Sequence, residues 1–117
     1  MTTADIARAW LKAFNAKDLD ALLKLYADDC RHTSPKIRTL HPETGGQLVG
    51  KAALRTWWAD AFQRLPGLTY EETLVTASEQ SVFLEYVRRV PNEPELFVAE
   101  VFEVRGGLIV ASRVYHG

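Results

Sequence analysis

Leu96-Phe97-Val98-Ala99-Glu100-Val101-Phe102-Glu103-Val104 is the stretch on which the fold turns. As a strand it sends Leu96, Val98, Glu100, Phe102 and Val104 to one face and Phe97, Ala99, Val101 and Glu103 to the other. Both faces are largely apolar, so each needs cover. Working backwards, Leu68–Ala77 and Ser81–Val90 read as strands separated by the polar turn Ser78-Glu79-Gln80, and Pro91-Asn92-Glu93-Pro94 makes the next turn. Working forwards, Arg105-Gly106-Gly107 turns the chain into Leu108–His116. Four strands in succession joined by short turns predict an antiparallel meander.

The first half of the chain has a different period. Ile6, Ala9, Trp10, Ala13 and Phe14 recur at helical steps, with Thr2 or Thr3 placed to cap the start and Asp5 near the positive helix end. Asp18 caps a second predicted helix carrying Leu19, Leu22, Leu23 and Tyr26. Cys30–Ser34 alternates and stops at Pro35, predicting a short strand with Cys30, His32 and Ser34 on one face. Residues 36–49, with Pro42, Gly45 and Gly46, read as a long loop at a pocket rim. Gly50 opens a helix whose Leu54, Trp57, Trp58, Ala61, Phe62 and Leu65 form one apolar stripe, ended by Pro66-Gly67. Helices first and strands later predict a single α+β domain over residues 1–117, with three helices on one side of a curved sheet. Three helices cover only one face of a sheet that is apolar on both. The other face is expected to pair with a second copy, giving a homodimer.

Composition narrows the function classes. The chain has 117 residues, 47% hydrophobic and 25% charged, with 14 basic residues against 15 acidic. It lacks the basic stripe of a nucleic-acid binder and any run long enough for a membrane span. Met1-Thr2-Thr3-Ala4-Asp5 has no basic segment leading into an apolar run, and the single Cys30 cannot form an internal disulfide. A cytoplasmic location is the expectation. There is no HExxH, no paired CxxC, and His32, His41 and His116 are scattered, so no metal site is expected. Without a GxGxxG or Walker-type loop, no cofactor is expected either. Acid–base chemistry is the enzyme class that survives.

Pairing the last two strands across Arg105-Gly106-Gly107 sets Glu100 opposite Ser112, Val98 opposite Val114 and Phe102 opposite Val110, with His116 on the same face. Glu100 is then a carboxylate among apolar side chains. Desolvation should raise its pKa, unless Arg88 or Arg89 pairs with it. Across Pro91–Pro94, one register places Glu85 opposite Glu100 and a one-residue slip places Tyr86 there. His32 is a candidate acid or base, or else a partly exposed histidine bonded to the loop. Trp10, Tyr26, Trp57 and Trp58 sit on apolar helical stripes, a pattern more often of core than of ligand platform, and aromatic pocket walls look the same from sequence.

Asn15-Ala16-Lys17-Asp18-Leu19, then Leu25-Tyr26-Ala27-Asp28-Asp29-Cys30 leading to Pro35, then Gly50-Lys51-Ala52-Ala53-Leu54 and Gly107-Leu108-Ile109 occur in an order that resembles the NTF2-like superfamily. The similarity is to its SnoaL-like and ketosteroid-isomerase-like branch and covers essentially the whole chain. The resemblance implies a cystatin-like cone, helices wrapped by a curved, mainly antiparallel sheet around an apolar pocket, and dimers formed through the outer sheet face. In ketosteroid isomerases a carboxylate just before the first strand's proline is the general base, and Ser34 stands there. The oxyanion-binding tyrosine of the first helix corresponds to Trp10, the second oxyanion donor to Glu100, and the supporting tyrosines to Tyr26 and Trp58. One of three catalytic positions retained argues against steroid isomerisation by that mechanism.

The reading reached is a dimeric pocket protein for a small, partly apolar molecule, doing isomerase, cyclase or dehydratase chemistry. Glu100 is its proton carrier or oxyanion donor and His32 the complementary base, facing each other across a ligand's width. Ser34 orients the ligand, and Trp10, Tyr26, Trp58 and Phe102 shape the cavity beside Glu85, Ser112 and His116. The alternatives are a non-catalytic ligand-binding protein and an association module that works through its outer sheet.

Overall fold

Thr2 accepts a hydrogen bond from the Asp5 backbone while the Asp5 carboxylate accepts one from the Thr2 backbone, a reciprocal cap that starts helix α1 (Thr3–Asn15). Its buried stripe is Ile6, Ala7, Trp10, Ala13 and Phe14. Asp18 caps the short α2 (Leu19–Leu23). The remaining elements of the computed structural model, which describes residues 1–117, are β1 (Tyr26–Thr33), α3 (Pro35–Leu40), a 3₁₀ turn (Pro42–Thr44), β2 (Gln47–Val49), α4 (Lys51–Arg64), β3 (Thr69–Ala77), β4 (Ser81–Arg89), β5 (Leu96–Arg105) and β6 (Leu108–His116). The strands form one six-stranded sheet in the order β2-β1-β6-β5-β4-β3. Every neighbouring pair is antiparallel except β1 with β6. The expected α+β meander is therefore present, with one parallel join. No helix is long and apolar enough to cross a membrane.

Three expectations change. Tyr26 lies in β1, not at the end of the second helix, because the Ile109 backbone N–H donates to the Leu25 carbonyl and ties this segment to β6. Residues 36–49 are structured, and the helices number four. Ser34 caps α3 by accepting from the Lys36 backbone, Pro35 occupies the first helical turn, and Ile37 is buried. Six residues are too few to show a helical period, which is why the segment reads as loop.

The registers also differ from those expected. Gly106 and Gly107 both have positive φ, 59° and 78°, the mirror-image geometry of a two-residue hairpin turn. With Arg105 opposite Leu108, and an irregularity between Glu103 and Val104, Glu100 lies opposite Val114, Phe102 opposite Ser112 and Val98 opposite His116. The shift is two residues, an even number, so each side chain stays on the predicted face. Between β4 and β5, Leu84 stands opposite Glu100, Glu85 opposite Ala99 and Tyr86 opposite Val98. Glu85 is thereby on the outer face, and Tyr86 reaches Glu100 diagonally from the inner one. Further irregularities in β3 and β1 help bend the sheet around the helices.

The core lies between α1, α4 and the inner sheet face. Trp10 stacks on Phe14 with centroids 5.2 Å apart, Phe14 on Tyr70 at 4.1 Å and Tyr70 on Tyr86 at 4.2 Å. This aromatic stack fixes the walls of the cavity described next. On the outer face Phe97, Phe83, Leu74 and Tyr115 are exposed.

Candidate functional site

The inner sheet face, α1, α3 and α4 enclose a cavity of about 320 Å³, near the small end of ligand pockets. Its buried end is formed by Trp10, His32, Trp58, Tyr86 and Glu100, and its exposed end by side chains including Lys36, Leu40 and Arg64.

Glu100 comes from the middle of β5, where strand alternation directs it inward between Val98 and Phe102. It is 1% exposed. The Tyr86 hydroxyl donates to Oε1 at 2.9 Å, while Oε2 has no hydrogen-bond partner. Neither anticipated arginine pairs with it: Arg88 binds Glu93, and Arg89 binds Glu71 and Glu95. Burial dominates and raises the Glu100 pKa to about 8, against a smaller lowering by the Tyr86 hydrogen bond. At neutral pH the side chain is mainly a neutral acid, the state that can donate from an otherwise unpartnered oxygen. Tyr86 stays a neutral donor, since burial and then the charge of Glu100 raise its own pKa well above the usual tyrosine value.

His32 projects from β1 beside it, 2% exposed. A hydrogen-bonded chain leads to this ring. Trp10 Nε1 donates to the Tyr26 hydroxyl at 3.1 Å, Tyr26 lies 3.3 Å from Ser112 Oγ, and Ser112 Oγ lies 2.6 Å from His32 Nδ1. Trp10 can only donate. The Tyr26 hydrogen then goes to Ser112, whose own hydrogen goes to Nδ1, so the neutral ring carries its proton on Nε2. Burial lowers the His32 pKa to about 4. His32 Nδ1 and Glu100 Oε2 are 4.0 Å apart, an ion-pair distance. Desolvation nevertheless keeps both groups neutral between about pH 4 and pH 8. The two therefore stand side by side, not facing each other across a ligand.

The other predicted residues divide into four groups. Trp10, Ser34, Trp58 and His116 line the cavity with Glu100 and His32. Tyr26 and Ser112 sit behind the buried end as links of the chain to His32. Phe102 is fully buried against Trp10, 5.2 Å between ring centroids, and supports the wall from outside the lining. Glu85 lies outside the cavity altogether. The sequence offered Tyr86 only as one register alternative and Arg88 only as a partner for Glu100, and Tyr70 and Lys36 went unremarked; all four line the cavity. The inward alternation of Tyr86 and Arg88 along β4 was the available signal; for Lys36 there was none without α3.

A sequence profile of the SnoaL-like domain matches residues 7–112. The chain belongs to the SnoaL-like domain family. Its expected NTF2-like, cystatin-type fold holds. Among solved structures, this SnoaL-like chain is similar to a SnoaL-like protein of unknown function from Burkholderia thailandensis. The two share 29% identity, with a TM-score of 0.85 over 98% of this chain and 94% of that one. It is also similar to a candidate ketosteroid isomerase from Kribbella flavida, at 21% identity and TM-score 0.80 over 98% of this chain and 77% of that one. A candidate polyketide cyclase from Sinorhizobium meliloti has 19% identity and TM-score 0.78, over 95% of this chain and 94% of that one. The latter two likenesses show the fold alone. No curated protein is significantly similar in sequence.

Proposed function

We propose that this SnoaL-like domain is a cofactor-free acid–base enzyme acting on a small, partly apolar molecule with a carbonyl group. The reaction classes that fit are isomerisation, cyclisation and dehydration, in each of which negative charge develops on an oxygen. The observation that carries the reading is Glu100, a fully buried carboxyl at the cavity's inner end with one oxygen unpartnered. Its pKa of about 8 makes it a proton donor near neutral pH, and the fraction that is ionised can take the proton back. His32 is the second donor, through Nε2–H, and Ser112 holds its ring. His32 acts here as a donor and not as the base expected of it from sequence, because burial and the Ser112 contact leave it poorly basic. Ser34 and His116 contact the ligand nearer the opening, and Trp10 and Trp58 hold its apolar body. The site is donor-rich and stabilises an enolate-like oxygen, which eases loss of the adjacent α-proton to solvent. The outer sheet face, with Phe97, Phe83, Leu74 and Tyr115 exposed, is the surface for a homodimer.

Deuterium exchange at the α-carbon of 2-tetralone, an apolar aromatic ketone, tests the catalytic reading. The wild-type protein should accelerate exchange, and Glu100→Gln should reduce that acceleration by about 100-fold or more, the scale of a lost general acid, with little change in KM. Acceleration that survives in Glu100→Gln refutes the assignment of Glu100.

A further inference from the structure

The exposed end of the cavity has a chemistry that the proton transfer at its inner end does not use. Lys36 from α3, Arg64 from α4, Arg88 from β4 and His116 from β6 all line it, with Glu93 as the one carboxylate on that rim. Glu93 is engaged by Arg88 Nη1 at 3.1 Å, and Arg64 turns to Asp60 at 2.7 Å on its own helix. Lys36 is left without a carboxylate partner. Arg88 is the unusual member: its guanidinium carries five N–H donors on a side chain only 9% exposed, yet its one hydrogen bond is to Glu93. Nε and Nη2, which make no side-chain hydrogen bond, are not sealed away from accessible space, and the residue lines the cavity. The cations also act on one another. Burial lowers the Lys36 pKa, with Arg88 and Arg64 pushing the same way against Glu93. Burial lowers that of His116, with Lys36 and Arg88 adding to it. Asp60 and Glu93 offset Arg64 and Arg88, so Lys36 leaves this rim with one net positive charge. Neither Lys17 nor another lysine or arginine lines the cavity, so the positive charge is confined to this end.

We infer that the ligand of this cavity is an amphipathic carboxylate, its anionic group held at the rim by Arg88 and Lys36 and its apolar body lying along the aromatic wall toward Glu100. The inference rests on the catalytic reading only for the carbonyl end, and it adds the substrate's charge. A planar guanidinium with free N–H groups suits a two-oxygen anion. Lys36, exposed and without a carboxylate partner, contributes attraction more than geometry. The cavity volume of about 320 Å³ suits a bicyclic aromatic acid.

The matched pair 2-naphthoate and 2-naphthamide tests this, with binding followed by quenching of the cavity tryptophans. The carboxylate should bind at least about tenfold more tightly than the amide, the scale of a charge-assisted hydrogen bond. Lys36→Met, at an exposed position that does not threaten folding, should narrow that preference several-fold. Arg88→Met should abolish it while leaving affinity for the amide intact. Equal binding of acid and amide by the wild-type protein overturns the inference and leaves the catalytic reading standing. A preference that persists undiminished in both variants also overturns it. Failure of both probes to bind at all counts against the cavity as a ligand site, and thus against both readings.

Discussion

Replacing Glu100 by glutamine separates the charge of this side chain from its shape. The amide keeps an oxygen to accept from Tyr86 and places a donor where Oε2–H sits, so it copies the neutral acid and cannot ionise. The ordinary glutamate value is 4.5, whereas burial holds the folded one at about 8. The folded protein thus retains a proton that the unfolded chain releases between those values, and stability falls as pH rises through that window. His32 acts in the opposite sense. Its pKa is 6.5 when free and about 4 when buried, so stability is lost as pH falls from 6.5 toward 4. The two slopes oppose each other between about pH 4.5 and pH 6.5, and above that range Glu100 acts alone. Over the remaining 1.5 or so pH units, at about 1.4 kcal/mol per unit, ionisation removes roughly 2 kcal/mol. Urea unfolding at about pH 6 and about pH 8.5 reads this directly. The wild type should lose about 2.5 kcal/mol more than Glu100→Gln between the two conditions, since His32 and the other groups titrate alike in both proteins and cancel, leaving Glu100 to act from about pH 6. Parallel losses in the two proteins refute the buried, neutral carboxyl.

Tyr86→Phe removes the hydrogen bond that opposes burial, so the Glu100 pKa should rise beyond about 8, and unpairing Oε1 should cost about 1–3 kcal/mol of unfolding free energy; a lowered carboxyl pKa contradicts this. In ¹⁵N spectra of the wild type, His32 should be the Nε2–H tautomer, and Ser112→Ala should release that preference; a wild-type Nδ1–H signal sinks the assigned chain of donors. Phe97→Asp should convert a dimer to a folded monomer in sedimentation velocity, because the charge enters the most exposed aromatic of the outer face. A wild-type monomer removes the dimer from the account.

The architecture was legible where periodicity is long. The α1 stripe and the four C-terminal strands appear where their spacing puts them, because 3.6- and two-residue periods persist there for a dozen and nine residues or so. Glu100 was identifiable as an inward-pointing acid even though its predicted partner was wrong, since the two-residue register shift left strand parity unchanged. Parity failed to protect Glu85. The β4–β5 register moved by one, which sends Glu85 outward and makes Tyr86 the partner of Glu100 through a diagonal contact. Turn length decides that parity, and Pro91–Pro94 allows more than one. The side-by-side placement of His32 and Glu100 was not readable from sequence, because it depends on the parallel join of β1 to β6, a contact between strands far apart in the chain. The Ser112 link to His32 depends on the same join. Lys36 and Arg88 meet at the rim only because the residues after Pro35 fold into a short helix rather than a loop.

Glu100 is a neutral acid at physiological pH, with one oxygen that no protein group partners. Titration of the ¹³C-labelled glutamate side-chain carboxyls by NMR, with Glu100→Gln to assign the resonance, measures it without any substrate. A midpoint at about 8 is expected for this one carboxyl. A midpoint near the ordinary glutamate value of 4.5 would place a carboxylate in the site at neutral pH and contradict it.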